Sequence, residues 1–191
     1  MRLRALAAPL LIFAALLAGC SSPPPDFYTL AAVPGPTLRT AHQNIELRRI
    51  GLAAYLDRPG IVRSNAQYRL RVTENERWGE PLGSMLDRVF TEDLVQRLPD
   101  AVIYAESGAI TSEPGTVLEI DVQRFDPDAD NTVVLLAQVA IRHDDTNRAG
   151  LARTVRLTAT PAGPSTADLA AALSAVLGQL SDQVARMLTG Q

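Results

Sequence analysis

The stretch Glu80-Pro81-Leu82-Gly83-Ser84-Met85-Leu86-Asp87-Arg88-Val89-Phe90-Thr91-Glu92-Asp93-Leu94-Val95-Gln96-Arg97-Leu98-Pro99 decides how this chain folds. Leu82, Met85, Leu86, Val89, Phe90, Leu94 and Leu98 recur at three- and four-residue intervals, which places them on one face of a helix. Pro81 is tolerated in a first helical turn and Pro99 stops the pattern, so an amphipathic helix is expected between them. Such a helix must bury its apolar face, and the flanking segments supply the surface.

Downstream, Thr116 to Phe125 carries Leu118, Ile120 and Val122 on one side. Asn131 to Arg142 carries Val133, Leu135, Ala137, Val139 and Ile141, and Leu151 to Thr160 offers Leu151, Val155 and Leu157. Period-two alternation broken by polar turns predicts three strands in an antiparallel meander. Ser165-Thr166-Ala167-Asp168 has the form of a capping box opening a second helix, with Leu169, Leu173, Val176, Leu177, Leu180, Val184 and Leu188 on one face. Gly178 inside that helix costs roughly 1 kcal/mol against alanine, so it is expected to mark close packing against the sheet or a partner. Gly190 ends the helix.

Upstream, Phe27-Tyr28-Thr29-Leu30 reads as a short strand and Val33 to Asn44 as a loop. Ile45 and Leu47 alternate, but Ile50 and Leu52 fall on the other parity, which predicts a strand with an irregularity. Tyr55 to Gly60 is turn-rich. Tyr68 to Val72 alternates cleanly and is expected to bury one face, and Ala101 to Tyr104 is a short strand. Together these elements predict one α+β domain: a mixed, mostly antiparallel sheet packed by two long amphipathic helices.

The amino terminus has a different character. Met1-Arg2-Leu3-Arg4 is basic and Ala5 to Leu16 is apolar and uncharged, the layout of a bacterial secretory signal. The run falls below the roughly 18–20 residues that span a bilayer. Leu17-Ala18-Gly19-Cys20 follows and resembles a lipobox. In proteins with that motif the cysteine sulfur receives a diacylglyceryl group, the chain is cut just before it and the new amino terminus is acylated. Residues 1–19 are thus expected to be a signal peptide, 20–26 a lipidated cysteine with a Pro-rich linker, and 27–191 the domain. Two or more acyl chains make a stable anchor. Ser21 behind the cysteine, where aspartate would retain an enterobacterial lipoprotein in the inner membrane, points to the outer membrane facing the periplasm. Pro23-Pro24-Pro25 favours polyproline II, and six residues at about 3.1 Å give a spacer of roughly 19 Å.

All 18 basic residues are arginine and two precede Cys20, leaving 16 against 21 acidic residues, a net of −5. That balance argues against nucleic acid and against a polybasic grip on lipid. With no lysine, a Walker lysine and a Schiff base are impossible. Cys20 is the only cysteine, so once lipidated it leaves no disulfide and no thiolate ligand. His42 and His143 stand alone in polar loops and imply no metal site. Asp126-Pro127-Asp128-Ala129-Asp130 imitates a calcium loop, but Asn131 and Ala137 stand where glycine and glutamate belong, which favours a hairpin turn. Ser84, Ser174 and Ser181 lie in helical patterns without a nearby histidine. Neither catalytic residues nor a cofactor beyond the lipid on Cys20 is expected.

Two stretches remain as candidates for recognition. Arg77-Trp78-Gly79-Glu80-Pro81-Leu82 holds the only tryptophan, at the entrance to the first helix, where it either staples helix to sheet or anchors an interface. Tyr55-Leu56-Asp57-Arg58-Pro59-Gly60-Ile61-Val62 is either a surface turn or part of the same interface. Tyr55, Leu56, Asp57, Arg58, Pro59, Arg77 and Trp78 are therefore the candidate partner contacts.

The lipobox, Phe27–Leu30, Tyr55–Val62 and Arg77–Leu82 ahead of an amphipathic helix together resemble the PqiC/YmbA family of ABC-type transport auxiliary lipoproteins, over the whole mature chain. The resemblance implies a fold like the TolB amino-terminal domain and a non-enzymatic outer-membrane lipoprotein. It implies work as a homo-oligomer with an MCE-domain tunnel protein and an inner-membrane transport protein, moving lipid between membranes. The competing reading is a periplasmic lipid carrier, which needs a continuous apolar cavity. Glu119, Asp121, Gln123 and Arg142 on the polar strand faces leave little surface to line one. A hydrolase is the third reading, and the sequence offers it no candidate residue.

Overall fold

A computed structural model describes residues 24–41, 44–64, 68–106, 108–109, 113–143 and 150–190. The signal segment, Cys20, Ser21, Pro23 and His42 lie outside the described residues. In chain order the elements are β1 (Asp26–Tyr28), β2 (Asn44–Leu47), β3 (Gly51–Leu52), β4 (Gly60–Ser64), β5 (Leu70–Trp78), α1 (Leu82–Arg97), β6 (Val102–Ala105), β7 (Thr116–Pro127), β8 (Val133–His143), β9 (Leu151–Ala159) and α2 (Thr166–Thr189). Asp26, assigned above to the linker, begins β1.

The α+β architecture is as expected, but the strands divide between two sheets. The larger runs β6-β2-β7-β8-β9, with β3 also on β7, and its longest ladders are the antiparallel β7–β8 and β8–β9 meander. The smaller runs β1-β5-β4, with β1 parallel and β4 antiparallel to β5. Both helices pack against the larger sheet and each other, α1 over β6 and α2 over β8 and β9.

The parity change after Leu47 has a simple cause. Leu47 pairs with Leu118 and Gly51 with Asp121, so four steps on one strand oppose three on the other. One extra residue reverses which side chains face the core. Ile45 and Leu47 are buried before the change and Ile50 after it. The Ile50 amide is satisfied by Asp87 Oδ1 at 2.9 Å. Strand β7 does the same: Gln123 is extra between Val122 and Arg124, so burial passes from Val122 to Phe125.

All seven apolar positions expected of α1 are buried, none more than 2% exposed. Pro81 sits at the N-cap and not inside the first turn, with no side-chain cap, so packing and not capping fixes that end. For α2 the capping box is present: Ser165 Oγ accepts from Asp168 N at 3.1 Å and Asp168 Oδ2 from Ser165 N at 3.2 Å. Gly190 closes the helix in the left-handed region at φ 73°.

Three expectations are corrected. Tyr68 to Val72 does not bury one face: Leu70 is 48% exposed and Val72 37%, because the outer end of the β4–β5 hairpin runs past the core. Among the described side chains of β5 only Trp78, at its far end, is buried, and Arg77 and Trp78 close this strand one connection before α1 begins. Gly60 to Ser64 is a strand, although Ile61 and Val62 are buried consecutively and show no alternation.

The loop over residues 29–41, without regular structure, is tied to both helices. Its backbone donates from Leu30 to Met85 Sδ (3.2 Å), from Ala31 to Ser174 Oγ (3.1 Å) and from Val33 to Asp93 Oδ1 (2.8 Å). At the centre lies Arg97, 1% exposed. Its guanidinium donates to Asp182 Oδ1 (2.6 Å), to the carbonyls of Val33 and Asp93 (3.0 Å each) and of Gly178 (3.1 Å), and to Asp93 Oδ1 (3.3 Å). Ser181 completes the cluster on Asp93 Oδ2 at 3.3 Å. Two glycines make room for it. A Cβ on Gly35 would fall 2.3 Å from Arg97 Nη2, and one on Gly178 3.0 Å from Val33 Cβ. Gly178 therefore marks close packing against the loop and Arg97, not against the sheet.

Candidate partner interface

The two stretches singled out in the sequence meet at the inner end of the β4–β5 hairpin. Trp78 N donates to the Pro59 carbonyl at 2.8 Å, and Gly60 pairs with Arg77. The turn before them is held by Leu56 N on the Ala53 carbonyl (2.8 Å) and Arg58 N on the Leu56 carbonyl (2.9 Å). The grouping is layered. Leu56 and Trp78 are buried, 1% and 6% exposed, while Asp57, Arg58, Pro59 and Arg77 are exposed above them. Trp78 thus supports the surface from within.

One exposed aromatic belongs here that sequence reasoning did not single out. Phe27, 66% exposed, is the register partner of Arg77, so both side chains leave the same face of the small sheet. A three-residue strand is too short for alternation to show which face Phe27 occupies.

Tyr55 works beneath the patch. Its hydroxyl donates to Asp126 Oδ1 at 2.9 Å, and Arg124 donates to the same carboxylate at 3.2 and 3.4 Å. Burial, then the Asp126 charge, raises the Tyr55 phenol well above its usual range, so it remains a neutral donor. Replacing Tyr55 by phenylalanine is expected to cost about 1.5–3 kcal/mol, the worth of a hydrogen bond to a charged group. Urea denaturation measures it, and a change near zero would show that the turn does not depend on β7.

The Asp126–Asp130 stretch is a self-contained turn: Asp128 Oδ1 accepts from the amides of Asp130 and Thr132, both at 3.0 Å, and Asn131 takes the left-handed conformation at φ 60°. Asp126 is already engaged. Among the described residues no three His, Cys, Asp or Glu side chains gather as metal ligands. His143 Nδ1 lies 3.1 Å from Thr116 Oγ1. Ser174 and Ser181 are buried and bond to the Ala170 and Leu177 carbonyls at 2.8 and 3.0 Å, serving helix packing.

The outer face of the large sheet holds an open hollow of about 710 Å³ whose lining includes Arg48, Arg49, Glu106, Glu119, Asp121 and Arg153. Arg48 pairs with Glu46 at 3.3 Å and Glu106 at 3.7 Å. These charged side chains mingle with Ile120, Val139, Ala140 and Ala152, so the hollow is open and mixed in character and not a sheltered apolar cavity.

The family of the ABC-type transport auxiliary lipoprotein component has a model that matches residues 28–185. The chain belongs to this family. ABC-type transport auxiliary lipoproteins are transport components and not an enzyme family, which sets the protein among membrane-associated lipoproteins. No curated protein matches the chain. Among solved structures, an uncharacterized protein is 19% identical with a TM-score of 0.74, covering 86% of this chain and 99% of its own. Protein XCC0632 from Xanthomonas campestris, of the DUF330 family, is 20% identical with a TM-score of 0.69, covering 87% and 97%. These likenesses show a shared fold. The PelC dodecamer from Paraburkholderia phytofirmans is 15% identical with a TM-score of 0.47, covering 82% and 94%, too slight a likeness to argue from. Among the described residues no helix is long and apolar enough to cross a membrane.

Proposed function

We propose that this auxiliary lipoprotein is the outer-membrane docking subunit of an MCE-type intermembrane lipid transport system. Lipid on Cys20 holds it to the periplasmic face of the outer membrane. As a homo-oligomer it receives an MCE-domain tunnel protein, which connects it to an inner-membrane transport protein. One observation supports the reading over that of a lipid carrier: most large apolar side chains are gathered in one core, while the hollow on the outer face of the large sheet is open and mixes charged with apolar side chains. Among the described residues the fold offers surface for protein contact and no sheltered apolar path for acyl chains. Phe27, Asp57, Arg58, Pro59 and Arg77 form the docking patch, supported by Tyr55, Leu56 and Trp78.

Joint replacement of Phe27 by serine and Arg58 by glutamate tests the patch. Both side chains are exposed, so the variant is expected to fold and to remain membrane-bound. Loss of one aromatic anchor and reversal of one charge should weaken capture of the MCE-domain protein by about 2 kcal/mol, roughly thirtyfold in Kd. Undiminished capture would remove the patch from the account.

A further inference from the structure

We propose that the outer end of the β4–β5 hairpin is a second, non-covalent membrane contact: Tyr68, Leu70 and Val72, flanked by Arg69 and Arg71, lie in the headgroup layer of the phospholipid surface that holds the anchor. The inference rests on lipidation at Cys20 and adds to it the face that the domain turns toward the bilayer.

Strand β1 is parallel to β5, with Asp26 beside Glu76 and Tyr28 beside Trp78. A parallel neighbour enters from the side where its partner begins. The backbone entering Asp26 therefore arrives from the side of Leu70, not from the side of the docking patch.

Six residues, Cys20 to Pro25, precede β1 and reach about 19 Å at the polyproline rise. The six steps of β5 from Glu76 back to Leu70 cover about 20 Å. The two spans match, so a lipid at Cys20 brings the outer end of the hairpin to the membrane surface.

Tyr68 is fully exposed, Leu70 is 48% exposed and Val72 37%, three large side chains left in solvent along one short stretch of chain. Tyrosine favours the membrane interface because its ring is apolar and its hydroxyl polar. Arg71, exposed, can lay its stem along acyl chains and reach phosphate with the guanidinium. Arg63 is not part of this group, since it donates to Thr166 Oγ1 at 2.7 Å. The mature chain is acidic overall, with a net of −5 from 16 arginines against 21 acids, so attraction by charge alone does not account for such a contact. The hairpin end supplies a local, partly apolar one.

Lipidation blocks the only native cysteine, so a single introduced cysteine can carry a dye. The lipidated full chain is prepared as Tyr68→Cys and, at the opposite end of β4, as Asp57→Cys. Each is labelled with an environment-sensitive fluorophore and reconstituted on phosphatidylethanolamine–phosphatidylglycerol vesicles with or without doxyl-labelled lipid. Co-flotation with the vesicles is followed in parallel. The expected result is co-flotation of both, with a blue shift and doxyl quenching at Tyr68→Cys and neither at Asp57→Cys. Co-flotation without quenching at Tyr68→Cys would overturn the hairpin contact while leaving the anchor intact. A blue shift that doxyl lipid does not quench would put a second copy of the chain on the hairpin and overturn it too. Failure to co-float would overturn the lipid anchor, and the hairpin contact with it.

Discussion

Replacing Arg97 by alanine is expected to destabilise the domain by about 3–5 kcal/mol, because it strands a buried carboxylate at Asp93. A simple buried ion pair can often be exchanged for apolar residues at little cost. Arg97 differs because it also satisfies the carbonyls of Val33, Asp93 and Gly178. The double change Arg97→Met with Asp93→Leu leaves the Val33 carbonyl and the Val33 amide unpaired, each at about 1–3 kcal/mol, while the Asp93 and Gly178 carbonyls keep their helical partners. It should not regain wild-type stability, and a double variant as stable as the wild type would contradict this account. Asp93 adds a pH signature. Burial pushes its carboxyl up, opposed by hydrogen bonds from Val33 N and Ser181 and by Arg97. A carboxyl raised in the folded state holds its proton more tightly there than in the unfolded chain. Its contribution is present below the unfolded value and is lost as pH rises through the folded one. Relative to Asp93→Asn, the wild type should therefore lose stability as pH rises above about 4, where an unfolded aspartate ionises.

Trp78→Ala is the second large effect. The indole is 6% exposed and belongs to the main core, at the point where β5 meets the turn before β4. Truncation should cost about 3–5 kcal/mol, or roughly 6–20 °C in Tm for a domain of this size. The companion readout is capture of the MCE-domain protein at a temperature where the variant is folded. A small change in stability with complete loss of capture would make Trp78 an interface anchor after all.

How much was legible depends on the kind of signal. The faces of α1 and α2 and the three-strand meander were readable because each holds its periodicity over nine residues or more. The capping box at Ser165 and the stop at Gly190 were readable because each is a local device. Division into two sheets was not, since strand pairing between β1 and β5 or between β2 and β6 spans tens of residues and leaves no local mark. The exposed hairpin was misread because alternation reports two unlike faces without saying that anything covers the apolar one. Arg97 and Asp93 passed unnoticed because a buried salt bridge on a helix resembles an ordinary surface pair four residues apart. In the candidate interface, Tyr55–Pro59 and Arg77–Trp78 were found as stretches, and their meeting through Pro59 and Trp78 required the fold. Phe27 was hidden by the brevity of β1.

What this lipoprotein holds when drawn gently from the membrane distinguishes a docking subunit from a carrier. Native mass spectrometry of the lipidated protein, solubilised at its natural expression level, is the most direct measurement. Several copies of the chain, each carrying the mass of acylated Cys20 and bound together to an MCE-domain protein, are the predicted result. A monomer that carries phospholipid and no protein partner would contradict it and make the protein a carrier.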